Sequence, residues 1–141
     1  MKIAKILNGL DYLDTAIIRS SGTIEIPDDI EEIGEGAFSH SLNLKKISFP
    51  QNVKKINQFA FCNCHNLSEM FFEGYIQISP LAFANCTSLT KITLSKKVYQ
   101  ELKYTPRLAE EYIKYLKEIT NNKVKVKMNG YTPFEYQDEL E

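Results

Sequence analysis

Between Ile26 and Leu94 one unit of 22–23 residues is written three times. Ile30-Glu-Glu-Ile33 returns as Val53-Lys-Lys-Ile56 and as Tyr75-Ile-Gln-Ile78. Ala37-Phe38 returns as Ala60-Phe61 and Ala82-Phe83, and Leu44-Lys-Lys-Ile47-Ser-Phe49 as Leu67-Ser-Glu-Met70-Phe-Phe72 and Leu89-Thr-Lys-Ile92-Thr-Leu94. The steps are 23 and then 22 residues; the lost residue falls between Phe72 and Tyr75, where the earlier copies carry Pro27 and Pro50. A unit this short cannot bury its own apolar face, so the copies must stack, each covering the next. The expected fold class is therefore an α/β repeat: a short right-handed solenoid with a parallel sheet.

Within a unit, Leu44-x-x-Ile47-x-Phe49 ends in alternation, which turns Ile47 and Phe49 inward and Ser48 outward. Val53-x-x-Ile56 forms a second short segment, and Phe38, Phe61 and Phe83 are expected to stack in the core. The string Val53-x-x-Ile56-x-x-x-Ala60-Phe61-x-x-Cys64-x-x-Leu67-x-x-Met70-x-Phe72 resembles the BspA-like leucine-rich repeats. The third copy matches it at Ile78, Ala82-Phe83, Cys86, Leu89, Ile92 and Leu94, and the first departs only in carrying Ser41 for the cysteine. The resemblance implies a right-handed leucine-rich-repeat coil that acts as a binding surface and supplies no catalytic residue.

Stacked coils make residues one period apart into cross-strand neighbours. Thr23, Lys46, Glu69 and Lys91 then form one outward column, whose alternating Lys46–Glu69–Lys91 charges pin the register. Glu31-Glu32 faces Lys54-Lys55 in the same way. The next column is Glu25, Ser48, Phe71 and Thr93. Alternation places Phe71 outward, either to meet another molecule or to lie under the chain's own cap or tail; Ile76 is a weaker outward candidate. The expected partner-binding residues are Lys46, Ser48, Glu69, Phe71, Lys91 and Thr93.

Both ends of a stack need caps. The expected organisation is an N-terminal cap over 1–23, repeats over 24–95 (three full units and a partial one carrying Ile24 and Ile26), a helix–strand cap over 96–129, and an acidic, aromatic tail over 130–141. Leu7, Leu10, Leu13 and Ile17 fall at helical spacing, which suggests a short capping helix beginning near Asn8 or Asp11, and Met1–Ile6 reads as a further strand. Thr105-Pro106 opens a helix with Thr as N-cap, a Leu108-Tyr112-Ile113-Leu116-Ile119 stripe, a Glu110–Lys114 pair and an end at Asn121-Asn122. Lys123-Val-Lys-Val-Lys-Met128 alternates as a half-buried strand whose lysines guard an edge. The net charge of −1 hides a basic segment, 96–128, with nine basic and four acidic residues, and a tail, 129–141, with four acids and no base. Lys123, Lys125, Lys127 and Arg107 form an alternative basic face, able to meet phosphates or an acidic protein. The tail either folds back on that segment or serves as a peptide for a partner.

Reactive constellations are scarce. Cys62-x-Cys64-His65 with Cys86 lacks the spacing of a zinc site, and the repeat already accounts for Cys64 and Cys86 as small inward residues. Gly34 and Gly36 make no phosphate loop, and no serine or cysteine sits in a nucleophile motif. No enzyme activity, metal or cofactor is expected. Neither a signal-like apolar run nor a stretch of about 18 apolar residues occurs, so no membrane span and a cytoplasmic location with free thiols are expected. The leading functional expectation is a protein-interaction module, monomeric or weakly dimeric, with nucleic acid met only as part of a nucleoprotein. A small phage or mobile-element inhibitor of a host defence nucleoprotein, CRISPR-type for example, and a surface adhesin fragment are the alternatives.

Overall fold

A computed structural model of the chain describes residues 22–120 and 123–130 and two short N-terminal strands. Those strands are β1 (Ile6–Leu7) and β2 (Ile17–Ile18). Then come β3 (Thr23–Glu25), β4 (Glu32–Ile33), β5 (Lys46–Phe49), β6 (Lys55–Ile56), β7 (Glu69–Phe72), β8 (Gln77–Ile78) and β9 (Lys91–Ser95). Helices α1 (Lys96–Leu102) and α2 (Pro106–Ile119) and strand β10 (Lys125–Gly130) follow. The strands form two sheets, where one is expected from the repeat. The larger is ordered β10-β9-β7-β5-β3-β2 and the smaller β1-β4-β6-β8. The second sheet arises because the Ile33, Ile56 and Ile78 positions also meet in register.

The stacking register agrees with the repeat alignment residue by residue: Lys46 faces Glu69, Ile47 faces Met70, and these face Lys91 and Ile92. The turns are tied as tightly as the strands. Phe38 N donates to Ala60 O at 2.7 Å, and Phe61 N to Ala82 O at 2.8 Å, so Ala37, Ala60 and Ala82 line up in a buried row. Directly behind them Phe61 stacks between Phe38 and Phe83, with centroids 5.0 and 5.2 Å apart and planes within 9° of parallel. The ring spacing is close to the strand spacing of about 4.8 Å, which is why one aromatic per coil forms a continuous column. Each ring's burial contributes roughly 1.5–3 kcal/mol.

The cysteines complete the coil. Cys64 Sγ donates to Phe38 O at 3.1 Å and Cys86 Sγ to Phe61 O at 3.0 Å. Each thiol is a second donor to a buried carbonyl that already accepts from a backbone amide, Ser41 N on Phe38 O and Cys64 N on Phe61 O. All three thiols are free. The Cys86 thiol is pushed well above its ordinary range, chiefly by its hydrogen bond with Cys64 and also by burial.

At the N-side, Gly22 lets the chain enter the stack. Its φ is +81°, a Cβ there would lie 2.6 Å from Asn43 O, and its own carbonyl accepts from Lys45 N and Lys46 N. Strand β2 then pairs antiparallel with β3. Leu7 and Ile17, the outer two of the four apolar residues at helical spacing, lie in strands β1 and β2. Leu10 and Leu13 and the expected helix start near Asn8 or Asp11 fall outside the described residues. So does Met1–Ile6 except for Ile6, which is indeed in a strand.

At the C-side the cap has an extra part. Helix α1 starts straight from β9: Ser95 Oγ accepts from Val98 N at 3.2 Å and donates to Glu73 O at 2.8 Å. Val98 and Leu102 from α1, Leu116 from α2, and Val124, Val126 and Met128 close the core. Helix α2 has Pro106 in its first turn as expected, but Thr105 makes no side-chain cap; its hydroxyl donates back to Leu102 O at 3.3 Å. Leu108 is exposed, and Lys114 approaches Glu118 at 4.0 Å instead of Glu110. The helix stops at Ile119; Asn121 and Asn122 are outside the described residues. On its inner face Tyr112 and Tyr115 reach the backbone of the smaller sheet, with Tyr115 Oη accepting from Ile78 N at 2.7 Å and donating to Ile78 O at 2.9 Å.

Candidate partner-binding surface

The inward residues of β5, β7 and β9 (Ile47 and Phe49, Met70 and Phe72, Ile92 and Leu94) belong to the core, so the intervening residues face out. The register assembles two outward columns. One runs Thr23, Lys46, Glu69, Lys91 and Lys125; the other runs Glu25, Ser48, Phe71, Thr93 and Lys127. Strand β10 thus continues the repeat sheet, and two surfaces that look separate in the sequence are one. Val124, Val126 and Met128 point into the core, as the alternation predicts. Lys123 precedes the strand and is exposed, while Arg107 lies on the first turn of α2. The expected four-residue basic face is therefore realised on the sheet only as Lys125 and Lys127.

The first column is a short charged row. Glu69 is held between Lys46 at 3.1 Å and Lys91 at 3.6 Å, with its side chain only 12 % exposed. Two cations compensate one poorly hydrated carboxylate, which fixes the row and leaves the lysines with the greater share of solvent. In the smaller sheet Glu32 faces Lys55 in register, and its carboxylate accepts from Asn57 Nδ2 at 2.6 Å. The asparagine side chain is shorter and already aligned by its bond to Ile33 O.

The second column departs from what alternation alone implies. Ser48, Phe71 and Thr93 stand on the outward side but are 8 %, 4 % and 1 % exposed. Phe71 is buried without joining the main core. A phenylalanine in the middle of a bare sheet keeps much of its ring in water, so this column lies under cover. The Thr93 hydroxyl is buried with no hydrogen-bond partner. Ile76 is also not outward: it belongs to the core, and its backbone N donates to Tyr112 Oη at 3.0 Å.

A recess of about 620 Å³, not foreseen from the sequence, opens at the C-terminal edge of this sheet. Its lining includes Phe49, Pro50 and Phe71, the acids Glu25, Asp28 and Glu73, and Lys96 and Lys97 of α1. Lys97 Nζ donates to Gln51 Oε1. The edge where parallel strands end is a common place for ligands, but the signal in the chain, an unbroken strand-to-helix junction at Ser95, shows only once α1 is recognised. Among the described residues no group of three or more His, Cys, Asp or Glu is placed to hold a metal ion, and no helix is long and apolar enough to cross a membrane.

The sequence profile of the BspA type leucine rich repeat region matches residues 18–137 in six copies, so the match extends past the three units into both ends. Searches of the curated proteins and of the solved structures return no match.

Proposed function

Since the chain belongs to the BspA-type leucine-rich-repeat family, whose repeats serve in general as protein-interaction modules, we propose that it binds a protein partner through the outer face of its six-stranded sheet. The observation that carries this reading is the unbroken register from Thr23 to Lys125, which makes repeats and cap one flat, ruled surface. Its size sets a condition. Five strand spacings by four residues give a rectangle of roughly 24 by 13 Å, about 310 Å². A standard interface takes about 800 Å² from each partner. The recess beside Phe71 and the lysines of β10 therefore join the contact. Lys46, Glu69 and Lys91 are held in place before binding, which lowers the entropy lost on association. The polar rims give specificity, and Phe71, once uncovered, is the apolar anchor.

The test compares capture of partners by the wild type, by Lys91→Glu with Lys125→Glu, and by Lys54→Glu with Lys55→Glu on the smaller sheet. All three chains are first matched for folded content by circular dichroism. Loss of the same partners in the first double variant and retention in the second is expected. Equal retrieval by all three chains refutes the sheet face as the binding surface.

A further inference from the structure

We propose that the turns preceding the strands of the larger sheet form a binding face for an extended, neutral oligosaccharide. Residues 34–43, 57–66 and 79–88 make these turns. Backbone bonds such as His40 N to Cys62 O and Asn63 N to Ala84 O, both 2.8 Å, stack them in register. A quarter of the whole chain is charged, yet these stretches hold one charged residue, Glu35, besides two histidines. Two apolar side chains there go against the preference of their own backbone. His40, Asn63 and Asn85 adopt φ of 63°, 61° and 61°, which histidine and asparagine tolerate. Phe59 and Leu81 adopt φ of 60° and 64°, which bulky residues avoid, and they are 36 % and 53 % exposed. Neither the core nor the turn calls for a large apolar side chain at these two places, which leaves a role outside the fold.

The chemistry of the face selects the ligand. Without lysine or arginine it cannot neutralise phosphates. It holds no Tyr, Trp, Met or Arg, the residues that mark the centre of a protein interface, and it carries four serines, which such centres avoid. What it offers is six side-chain amides and an exposed phenylalanine ring. Asn85 Nδ2 donates to Asn63 Oδ1 at 2.9 Å, and Asn63 Nδ2 lies 3.4 Å from His40 Nε2, a row that crosses all three coils. Each amide both donates and accepts, as a sugar hydroxyl does. The electron-rich face of Phe59 suits the polarised C–H bonds of a pyranose. The coil spacing, read from the Phe38–Phe61 and Phe61–Phe83 stacks, is 5.0 and 5.2 Å, close to the length of one pyranose unit in an extended β-linked chain. The row ends at a recess of about 370 Å³ whose lining includes Gly22, Ile24, His40, Ser41, Leu42 and Asn43, none of them charged. That volume is in the range of small-molecule sites and takes the terminal sugar.

This face is separate from the sheet surface proposed for a protein partner, so each reading can fail alone. The test is a nuclear magnetic resonance titration of the isotope-labelled full chain with cellohexaose, chitohexaose and α-linked maltohexaose. Binding of at least one β-linked hexamer at millimolar concentration is expected, with shifts at the Asn63 and Asn85 side-chain amides and at Phe59. The α-linked hexamer, whose chain coils, is expected to bind more weakly. Phe59→Gly and Asn63→Gly both suit a left-handed backbone and should keep the fold, which thermal melting checks. Each is expected to weaken binding about tenfold. Lys91→Glu with Lys125→Glu is expected to bind the sugar as the wild type does. Absence of shifts with both β-linked hexamers overturns the proposal. So does binding that neither glycine variant weakens, that the lysine double variant loses, or that maltohexaose equals. A dimer in sedimentation that Phe59→Gly dissociates, without sugar binding, overturns it in favour of a second copy.

Discussion

Removing one oxygen from Tyr115 tests how the stack is closed. Strand β8 is the last of the smaller sheet, and its backbone alternates in direction. Gln77 N and Ser79 N donate back to the previous coil, at Lys54 O and Ile56 O. The groups of Ile76 and Ile78 point the other way, where no strand follows. The phenols of α2 take that place: Tyr115 Oη engages both N and O of Ile78 at 2.7 and 2.9 Å, and Tyr112 Oη those of Ile76 at 3.0 and 3.4 Å. Tyr115→Phe keeps the ring and deletes two good hydrogen bonds beside a residue that is 4 % exposed. At about 0.5–1.5 kcal/mol for each bond, the loss is about 1–3 kcal/mol. Tyr112→Phe loses one good bond and one long one and costs less. The two rings lie 6.2 Å apart, so the double variant is expected to depart from additivity. Urea unfolding at unchanged m-value measures the loss, and hydrogen exchange at the Ile78 amide locates it. A Tyr115→Phe protein within about 0.3 kcal/mol of wild type, with the Ile78 amide still protected, refutes the idea that the phenols replace a strand.

Burial pushes the Tyr112 phenol up to about 12 from an ordinary value near 10. Between those values the unfolded chain releases this proton and the folded one keeps it. Stability from this group is therefore complete below pH 10 and falls as pH rises to 12, by about 3 kcal/mol in all. Tyr112→Phe should flatten that part of an alkaline denaturation curve. Gly36 has φ +66° with open space for 4 Å around the point a methyl would occupy, whereas Leu81 adopts φ +64° at the equivalent turn of a later coil. Gly36→Ala is expected to cost about 1 kcal/mol and Leu81→Gly to stabilise by up to about 1 kcal/mol in thermal melts; reversed signs would refute the strain argument. Phe61→Ala removes the middle ring of the column and should cost about 3–5 kcal/mol by urea titration. A thiol reagent should modify half-exposed Cys62 quickly in the native protein and buried Cys64 and Cys86 only on unfolding; three fast thiols would contradict the closed turn.

What could be read from the sequence follows from what repeats. Lys46, Glu69 and Lys91 recur at one phase, so their contact and even their charge order were legible. So were the Phe38–Phe61–Phe83 column and the inward Val126 and Met128 of β10. What occurs once was not. Helix α1 has only Val98 and Leu102 as buried markers and begins without a loop, so it shows no stripe long enough to notice. The targets of Tyr112 and Tyr115 are backbone groups, which carry no residue code. Alternation places Phe71 on the correct side of the sheet but does not give its burial, which depends on what packs above that face. At the N-terminus, helical spacing does not reveal the sheet edges on which Leu7 and Ile17 pair, because those partners lie far along the chain.

Because each coil touches mainly the one before and the one after, resistance to force is shared out evenly along the molecule. Pulling on one end would peel off a single turn at a time, each of 22–23 residues releasing roughly 75 Å of slack. Such a chain would behave under tension as a graded spring, and its extension trace would show steps of nearly equal height.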